Sequence, residues 1–153
     1  MSLHTAEAYW KGNLKDGEGN IKLTKSNFEC SYSFPSRFEN GAGCSPEELV
    51  AGAHAACFSM ALAHGLSEAG HVPERIRTIA KVSLEKAAGG FEIKTINLVT
   101  KAHVTGIELE KFMKIAETTQ KECRFTSSPS IAVSRSPGLI PVRSACPPGM
   151  GSR

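Results

Sequence analysis

The stretch SPEELVAGAHAACFSMALAHGLSEAG, residues 45–70, decides how the rest of the chain is interpreted. Ser45, a proline at the next position and Glu48 three residues on form the signature of a capped helix start. Alanines then carry the helix to Gly70, a natural C-terminal stop, so we predict about 24 residues and about 36 Å. Because small or apolar side chains lie on nearly every side, we expect this helix to be buried.

Strand patterns flank the helix on both sides. Before it, three short strands of a meander are predicted at 6–10, 21–23 and 28–34. A loop should follow over 35–43, where a Gly-Ala-Gly stretch disfavours regular structure.

After the helix, residues 76–85 and 91–104 alternate apolar and polar side chains and predict a long antiparallel hairpin. Residues 107–122 have apolar side chains at helical spacing and predict an amphipathic second helix. The predicted fold class is therefore α+β, with antiparallel sheets and a long buried central helix.

Length and charge divide the chain into a body and a tail. Its 153 residues are enough for one domain, and 41% hydrophobic content suits a packed core. The net charge of +3 belongs to residues 124–153, which hold four arginines and no acid, while residues 1–123 are close to neutral. We therefore expect a domain over 1–123 that binds no nucleic acid, since that would need clustered cations on one face. The Pro/Ser-rich tail should be irregular or disordered, with at most one short strand around 131–133 or 139–142.

The cysteines and the N-terminus indicate a soluble protein. Five cysteines, at 30, 44, 57, 123 and 146, are odd in number and widely spaced. Neither a disulfide framework nor a zinc site is expected from that spacing, and no metal is expected. The first ten residues lack a signal-peptide pattern, and the apolar run over 51–66 falls short of a membrane span. We therefore predict a reduced, cytoplasmic protein with no membrane partner.

Cys57, in the middle of the predicted central helix, is the first candidate for chemistry. A cysteine there is most often a small core residue. As a nucleophilic or redox thiol it would need a nearby cation or donor, because a cysteine pKa of about 8.5 leaves it mostly protonated at neutral pH. His54 and His64, at i−3 and i+7, are candidate partners, although no acid is identified that would orient either one.

Arg37 and Glu47 form the second candidate constellation. Taken singly, they would be a solvated charge and a complement to the helix dipole. Together with a thiol, Arg37 could stabilise the thiolate and Glu47 could hold the guanidinium fork in bidentate geometry. Cys123, at the end of the second predicted helix, could resolve an oxidised Cys57 if the fold brings the two together.

The residues in these stretches resemble the osmotically inducible protein C (OsmC) family, whose relatives include the organic hydroperoxide resistance proteins. The resemblance is carried by RFE at 37–39, SPEEL at 45–49 and AHAACFSMAL at 53–62, with support from AYWKG at 8–12 and VSLEK at 82–86. It extends over about residues 5–123.

The resemblance implies an intertwined α+β homodimer with the central helices at its core and a thiol-dependent peroxidase activity. The substrate would be an organic hydroperoxide and, more weakly, hydrogen peroxide, with an external dithiol as reductant and no cofactor or metal. By position, Cys57 would be the peroxidatic cysteine, Cys123 the resolving cysteine in an intrasubunit disulfide, and Arg37 and Glu47 the polar pair around the thiolate. Cys30, Cys44 and Cys146 have no role in this pattern.

Two other classes of function remain open. A cysteine hydrolase or transferase would use Cys57 with His54, but the sequence offers no third member of a triad. A binding or interaction protein of the same fold would result if Cys57 were inert.

Overall fold

The computed structural model describes residues 2–121 in full and the backbone of Glu122, 130–133 and 140–145. The chain forms two compact units, Met1–Leu49 and Val50–Arg153. Helices and antiparallel sheets are mixed along the chain, so the predicted α+β class is confirmed.

The first unit contains the predicted meander. Its strands are β1 (Ala6–Lys11), β2 (Glu18–Leu23) and β3 (Phe28–Ser33), paired antiparallel in the order β1-β2-β3. The strand β2 starts three residues before the predicted position and so includes Gly19, which lies opposite Trp10 and Tyr32. A side chain at Gly19 would collide with the Tyr32 ring, and the glycine therefore allows that ring to cover the strand.

A short helix, α1 (Phe34–Phe38), occupies part of the segment predicted as a loop, so that prediction was wrong here. The Ser33 hydroxyl accepts a hydrogen bond from the Ser36 N–H, and the Ser36 hydroxyl accepts one from the Ser33 N–H. This reciprocal cap uses serine at both ends instead of the usual acid or amide at the second position. Pro35 in the first turn also favours the helix.

The central helix, α2 (Pro46–Glu68), has nearly the predicted bounds. The Ser45 hydroxyl accepts a hydrogen bond from the Glu48 N–H at 3.1 Å, as its cap pattern predicts. Within this chain, however, the expected burial on nearly every side is wrong. The helix buries one stripe, made of His54, Phe58, Leu62 and Leu66, whereas Met60 on the other side is 75% exposed.

In the second unit, the predicted hairpin and second helix are both present. They are β4 (Arg75–Ala87), β5 (Gly90–His103) and α3 (Leu109–Glu122). The core of the unit comes from α2, β5 and α3, and its buried members are Phe58, Leu62, Leu66, Leu98, Ala102, Phe112 and Ala116.

Hydroxyl groups and one glycine also set how α2 packs in this unit. The Ser59 hydroxyl donates to Thr78 Oγ1 at 2.7 Å, and Thr78 Oγ1 lies 3.0 Å from the buried Thr100 Oγ1. At Gly65, a Cβ would approach Ile115 of α3 to 3.2 Å, so α2 and α3 pack closely there.

Two strands form after residue 123, where at most one was predicted. They are β6 (Ser130–Val133) and β7 (Ile140–Ala145), and the sheet order is β4-β5-β7-β6. The edge of β5 presents backbone donors and acceptors, and β7 forms its antiparallel hydrogen bonds with them. The β-branched residues of the two strands favour extended structure even within a Pro/Ser-rich segment. The rest of the predicted tail lies outside the described residues.

The helix α2 is also long and apolar enough to cross a membrane by length and composition alone, with a mean hydropathy of 1.4 over an 18-residue window. The apolar run over 51–66 was predicted to be too short for a span, but the helix that contains it has 23 residues. Its buried stripe packs against β5 and α3, which is how a core helix of a globular domain is used.

Candidate active site

Arg37 and Glu47 come together as the sequence analysis expected, but in a different geometry. Nε and Nη2 of Arg37 donate to the same oxygen, Oε1 of Glu47, at 3.0 and 2.8 Å. Two donors of the guanidinium fork are therefore engaged, but they share one carboxylate oxygen. The other oxygen, Oε2, is buried and accepts no hydrogen bond from any residue that the structure describes.

The burial of this ion pair is uneven. The Glu47 side chain is 12% exposed and that of Arg37 is 39% exposed, and the guanidinium also lies 5.1 Å from the centre of the Phe38 ring. A cation at that distance is attracted by the negative face of the ring. The arginine is thus held from two sides while its Nη1 group remains outside the pair with Glu47.

The segment that carries Arg37 is closed by a disulfide between Cys30 of β3 and Cys44, whose Cα atoms are 6.1 Å apart. The expectation that the widely spaced cysteines form no structural disulfide was wrong for this pair, because the two cysteines are 14 residues apart in sequence and only the return of the chain beside β3 brings them together. The Cys44 N–H donates to the Ser31 carbonyl at 2.9 Å, which fixes that return. Since the predicted cytoplasmic location rested partly on reduced cysteines, it loses this support.

Cys57 is half-buried on α2 and is not part of a disulfide in the structure. At about 100° per residue it lies between the buried stripe that contains His54 and the exposed arc that contains Ala56 and Met60. This boundary leaves the thiol reachable from outside the core. A thiol in the centre of the stripe would be inert.

Cys57 and Glu47 are both carried by α2. They are ten residues apart on the continuous helix α2, which separates them by about 15 Å along its axis. The two histidines considered with Cys57 also differ from each other. His64 is exposed, whereas His54 is only 2% exposed and its burial lowers its pKa, so it stays neutral at neutral pH.

Cys123 and Cys146 lie outside the described residues. Within the described part of the chain, no three His, Cys, Asp or Glu side chains are grouped so that they could hold a metal ion. The Cys30–Cys44 pair and the buried Oε2 were not predicted, because neither feature has a local sequence signal.

Comparison with known proteins identifies relatives of this chain. The family model described as OsmC-like protein matches residues 39–132. The Escherichia coli K12 protein named peroxiredoxin OsmC is 42% identical over 125 residues, which cover 80% of this chain and 87% of that protein.

Solved structures show the same fold. An organic hydroperoxide resistance protein OsmC from Legionella pneumophila has a TM-score of 0.60 at 23% identity and covers 82% of this chain and 88% of its own. An OsmC-like protein from Vibrio cholerae has a TM-score of 0.64 at 16% identity, with coverages of 82% and 92%. At these identities the two structures bear on the fold alone.

Proposed function

The chain belongs to the OsmC-like family, and we propose that this cysteine-based peroxidase reduces organic hydroperoxides, and hydrogen peroxide more weakly, with Cys57 as its peroxidatic thiol. The observation that carries the proposal is the 42% identity to a named peroxiredoxin over most of both chains. The position of Cys57 supports it, because the thiol lies at the border of the core where a small peroxide could reach it.

The proposed reaction has two thiol steps and needs no cofactor. The Cys57 thiolate attacks the distal peroxide oxygen, an S–O bond forms, the O–O bond breaks, and the leaving alkoxide takes a proton to become the alcohol. Cys123 then attacks the sulfenic sulfur, an intrasubunit S–S bond forms, and hydroxide leaves and is protonated to water. An external dithiol reduces that disulfide and is itself oxidised to a disulfide.

Arg37 and Glu47 are proposed as the polar pair of the site. Arg37 would stabilise the thiolate and the developing negative charge on the leaving oxygen with its Nη1 group, while Glu47 holds the guanidinium through Oε1. An arginine suits this role better than a lysine, because its planar group can donate to the carboxylate and to a second acceptor at once.

We propose that the active form is a homodimer built on α2. An i, i+4 stripe of Gly52, Ala56, Met60 and His64 is exposed, and a Cβ at Gly52 would meet nothing within 4 Å. A second helix could approach closely over these small residues and cover Met60. If it packs antiparallel about a two-fold axis, the Glu47 of each subunit would serve the Cys57 of the other, which their separation on one helix requires.

The experiment for the proposed function follows consumption of cumene hydroperoxide with dithiothreitol. The wild-type protein should form one alcohol per hydroperoxide, and Cys57→Ser should be inactive, because a serine hydroxyl is not ionised enough to attack. His54→Gln is the matched variant three residues away on α2 and should keep turnover. A cysteine hydrolase would behave differently: it would cleave activated esters and lose that activity in both variants.

The role of Cys123 is tested separately because it lies outside the described residues. After one equivalent of hydroperoxide, peptide mapping should find a Cys57–Cys123 disulfide. If Cys57 is instead recovered as sulfinic acid with Cys123 still a thiol, the resolving role is wrong.

A further inference from the structure

Four basic side chains line a cleft on the outer face of the β4–β5 hairpin, in the second unit. They are Arg75, Arg77, Lys101 and His103, and they line an open depression of about 230 Å³. In the register of the hairpin, Arg75 lies opposite His103 and Arg77 lies opposite Lys101. All four point away from the core, because the alternate positions of both strands face inward. We call this group the cationic cleft.

Among the residues that the structure describes, the positive charges of the cationic cleft are only partly balanced, because His103 is the one member with an acidic partner. Glu74 is the acid beside it, and both of its oxygens are engaged: Oε2 lies 2.9 Å from His103 Nδ1, and Oε1 accepts from the Thr105 hydroxyl at 2.9 Å. In the described part of the chain, no carboxylate is within ion-pair distance of Arg75, Arg77 or Lys101.

This arrangement opposes stability unless something else binds there. Like charges directly opposite each other on a sheet destabilise it, and Arg77 and Lys101 form such a pair. An anion placed between them would remove the repulsion and gain charge-assisted hydrogen bonds from both. The cleft therefore has the properties of a site completed by a ligand.

The dimensions and donors of the cleft favour a phosphate group. Two residues along a strand span about 6.6 Å and neighbouring strands lie about 4.8 Å apart, so long side chains from these positions can converge on one tetrahedral anion. Arginine forks bind phosphate oxygens in pairs, and the aliphatic stems form the cleft walls. A nucleic acid would need a longer row of phosphate contacts than two residue pairs provide.

A surface for the rest of the ligand continues from the cleft. The next pair on the same face is Ile79 opposite Val99, and Ile79 is 44% exposed. We propose that the cationic cleft binds the phosphate group of a small ligand whose apolar part lies along Ile79 and Val99. This inference does not depend on the peroxidase activity.

The test uses the full chain at low ionic strength with inorganic pyrophosphate as the probe. Binding is measured by calorimetry and by the shift in melting temperature. The wild-type protein should bind one pyrophosphate per chain and melt at a higher temperature when it is bound. Arg77→Gln and Lys101→Gln should each weaken binding about tenfold. Lys81→Gln is the matched control, because Lys81 is exposed on the same face of β4 outside the cleft, and its affinity should stay within about twofold.

A second readout needs no ligand. Without pyrophosphate, Arg77→Gln should melt at a higher temperature than the wild type because the repulsion from Lys101 is gone. Lys81 lies opposite Asn97, so its replacement should not stabilise the protein.

A parallel arm with phosphatidic acid vesicles identifies the source of the phosphate. Binding of pyrophosphate indicates a soluble ligand, and binding of vesicles alone indicates a lipid headgroup.

Two results would overturn the proposal. One is the absence of saturable binding in both arms. The other is an equal loss of affinity in Lys81→Gln and Arg77→Gln, which would show diffuse attraction to a basic surface.

Discussion

Arg37 places two of its donors, Nε and Nη2, on a single oxygen of Glu47, at 3.0 and 2.8 Å, and leaves the second carboxylate oxygen buried. The carboxylate is 12% exposed and orients the guanidinium through that one oxygen, whereas the Arg37 side chain is 39% exposed and stays in contact with water. The pair is therefore already formed in the single chain, and Arg37 belongs to the segment that the Cys30–Cys44 disulfide closes.

Substitutions in this pair should lower peroxidase activity. Arg37→Lys keeps the charge but loses the planar group, and Glu47→Gln loses the charge that holds it. We expect kcat/KM for cumene hydroperoxide to fall about tenfold or more in each variant. Glu29→Gln is the control, because it breaks the exposed Lys22–Glu29 pair in the same unit and such pairs contribute little. An unchanged kcat/KM in Arg37→Lys would remove the arginine from the site.

The proposed sharing of Glu47 across a dimer predicts complementation. Cys57→Ser and Glu47→Gln homodimers should both be impaired, whereas a purified mixed dimer should regain about one working site of two. In that dimer, one subunit supplies an intact Glu47 and the other an intact Cys57. If the mixed dimer is no more active than the average of its parents, Glu47 does not serve the thiolate of a partner.

The Cys30–Cys44 disulfide should contribute to stability. It closes a loop of about 15 residues, for which loop-closure entropy predicts about 3 kcal/mol, so Cys30→Ser should unfold at a clearly lower urea concentration. Dithiothreitol should lower the midpoint of the wild type and leave that of Cys30→Ser unchanged. Equal midpoints for the oxidised wild type and the variant would mean that the pair is not bonded in solution.

Burial of His54 predicts a loss of stability in mild acid. Its pKa in the folded protein is lowered by burial, so protons bind more readily to the unfolded chain. The destabilisation is absent well above about pH 6.5 and grows as the pH falls below it, by at most about 1.4 kcal/mol per pH unit. Urea midpoints at pH 7.5 and pH 5 should therefore differ more in the wild type than in His54→Gln. The exposed His64→Gln should behave like the wild type, and an equally steep loss in His54→Gln would contradict the assignment.

The parts of the fold that local signals determine were predictable from sequence. Ser45 with Glu48 located the start of α2, and strict alternation located the β4–β5 hairpin. The short helix α1 was missed because its cap is built from two serines. The exposed face of α2 was missed because hydropathy shows that Met60 is apolar and contains no information on whether it faces the core.

The candidate site was predictable only in part. Arg37 and Glu47 were grouped from their chemistry and placed at the peroxidatic site through a family resemblance, but the oxygen that accepts the hydrogen bonds depends on side-chain geometry that no spacing encodes. The Cys30–Cys44 pair could not be predicted locally because the two cysteines are separated by 14 positions in the sequence. The paired residues of the cationic cleft are separated by 24 and 28 positions, and only the register of the β4–β5 hairpin brings them together. The strands β6 and β7 likewise depend on a distant part of the sequence, because β7 pairs with the edge of β5.

The most direct test of the central claim is to trap the oxidised state of Cys57. The reduced protein is treated with one equivalent of cumene hydroperoxide in the presence of dimedone, which captures sulfenic acids, and the alcohol and the modified peptide are quantified together. We predict that alcohol formation equals loss of the Cys57 thiol, with the label on Cys57 in a Cys123→Ser background. Alcohol formed in full while Cys57 remains an unmodified thiol would contradict the account.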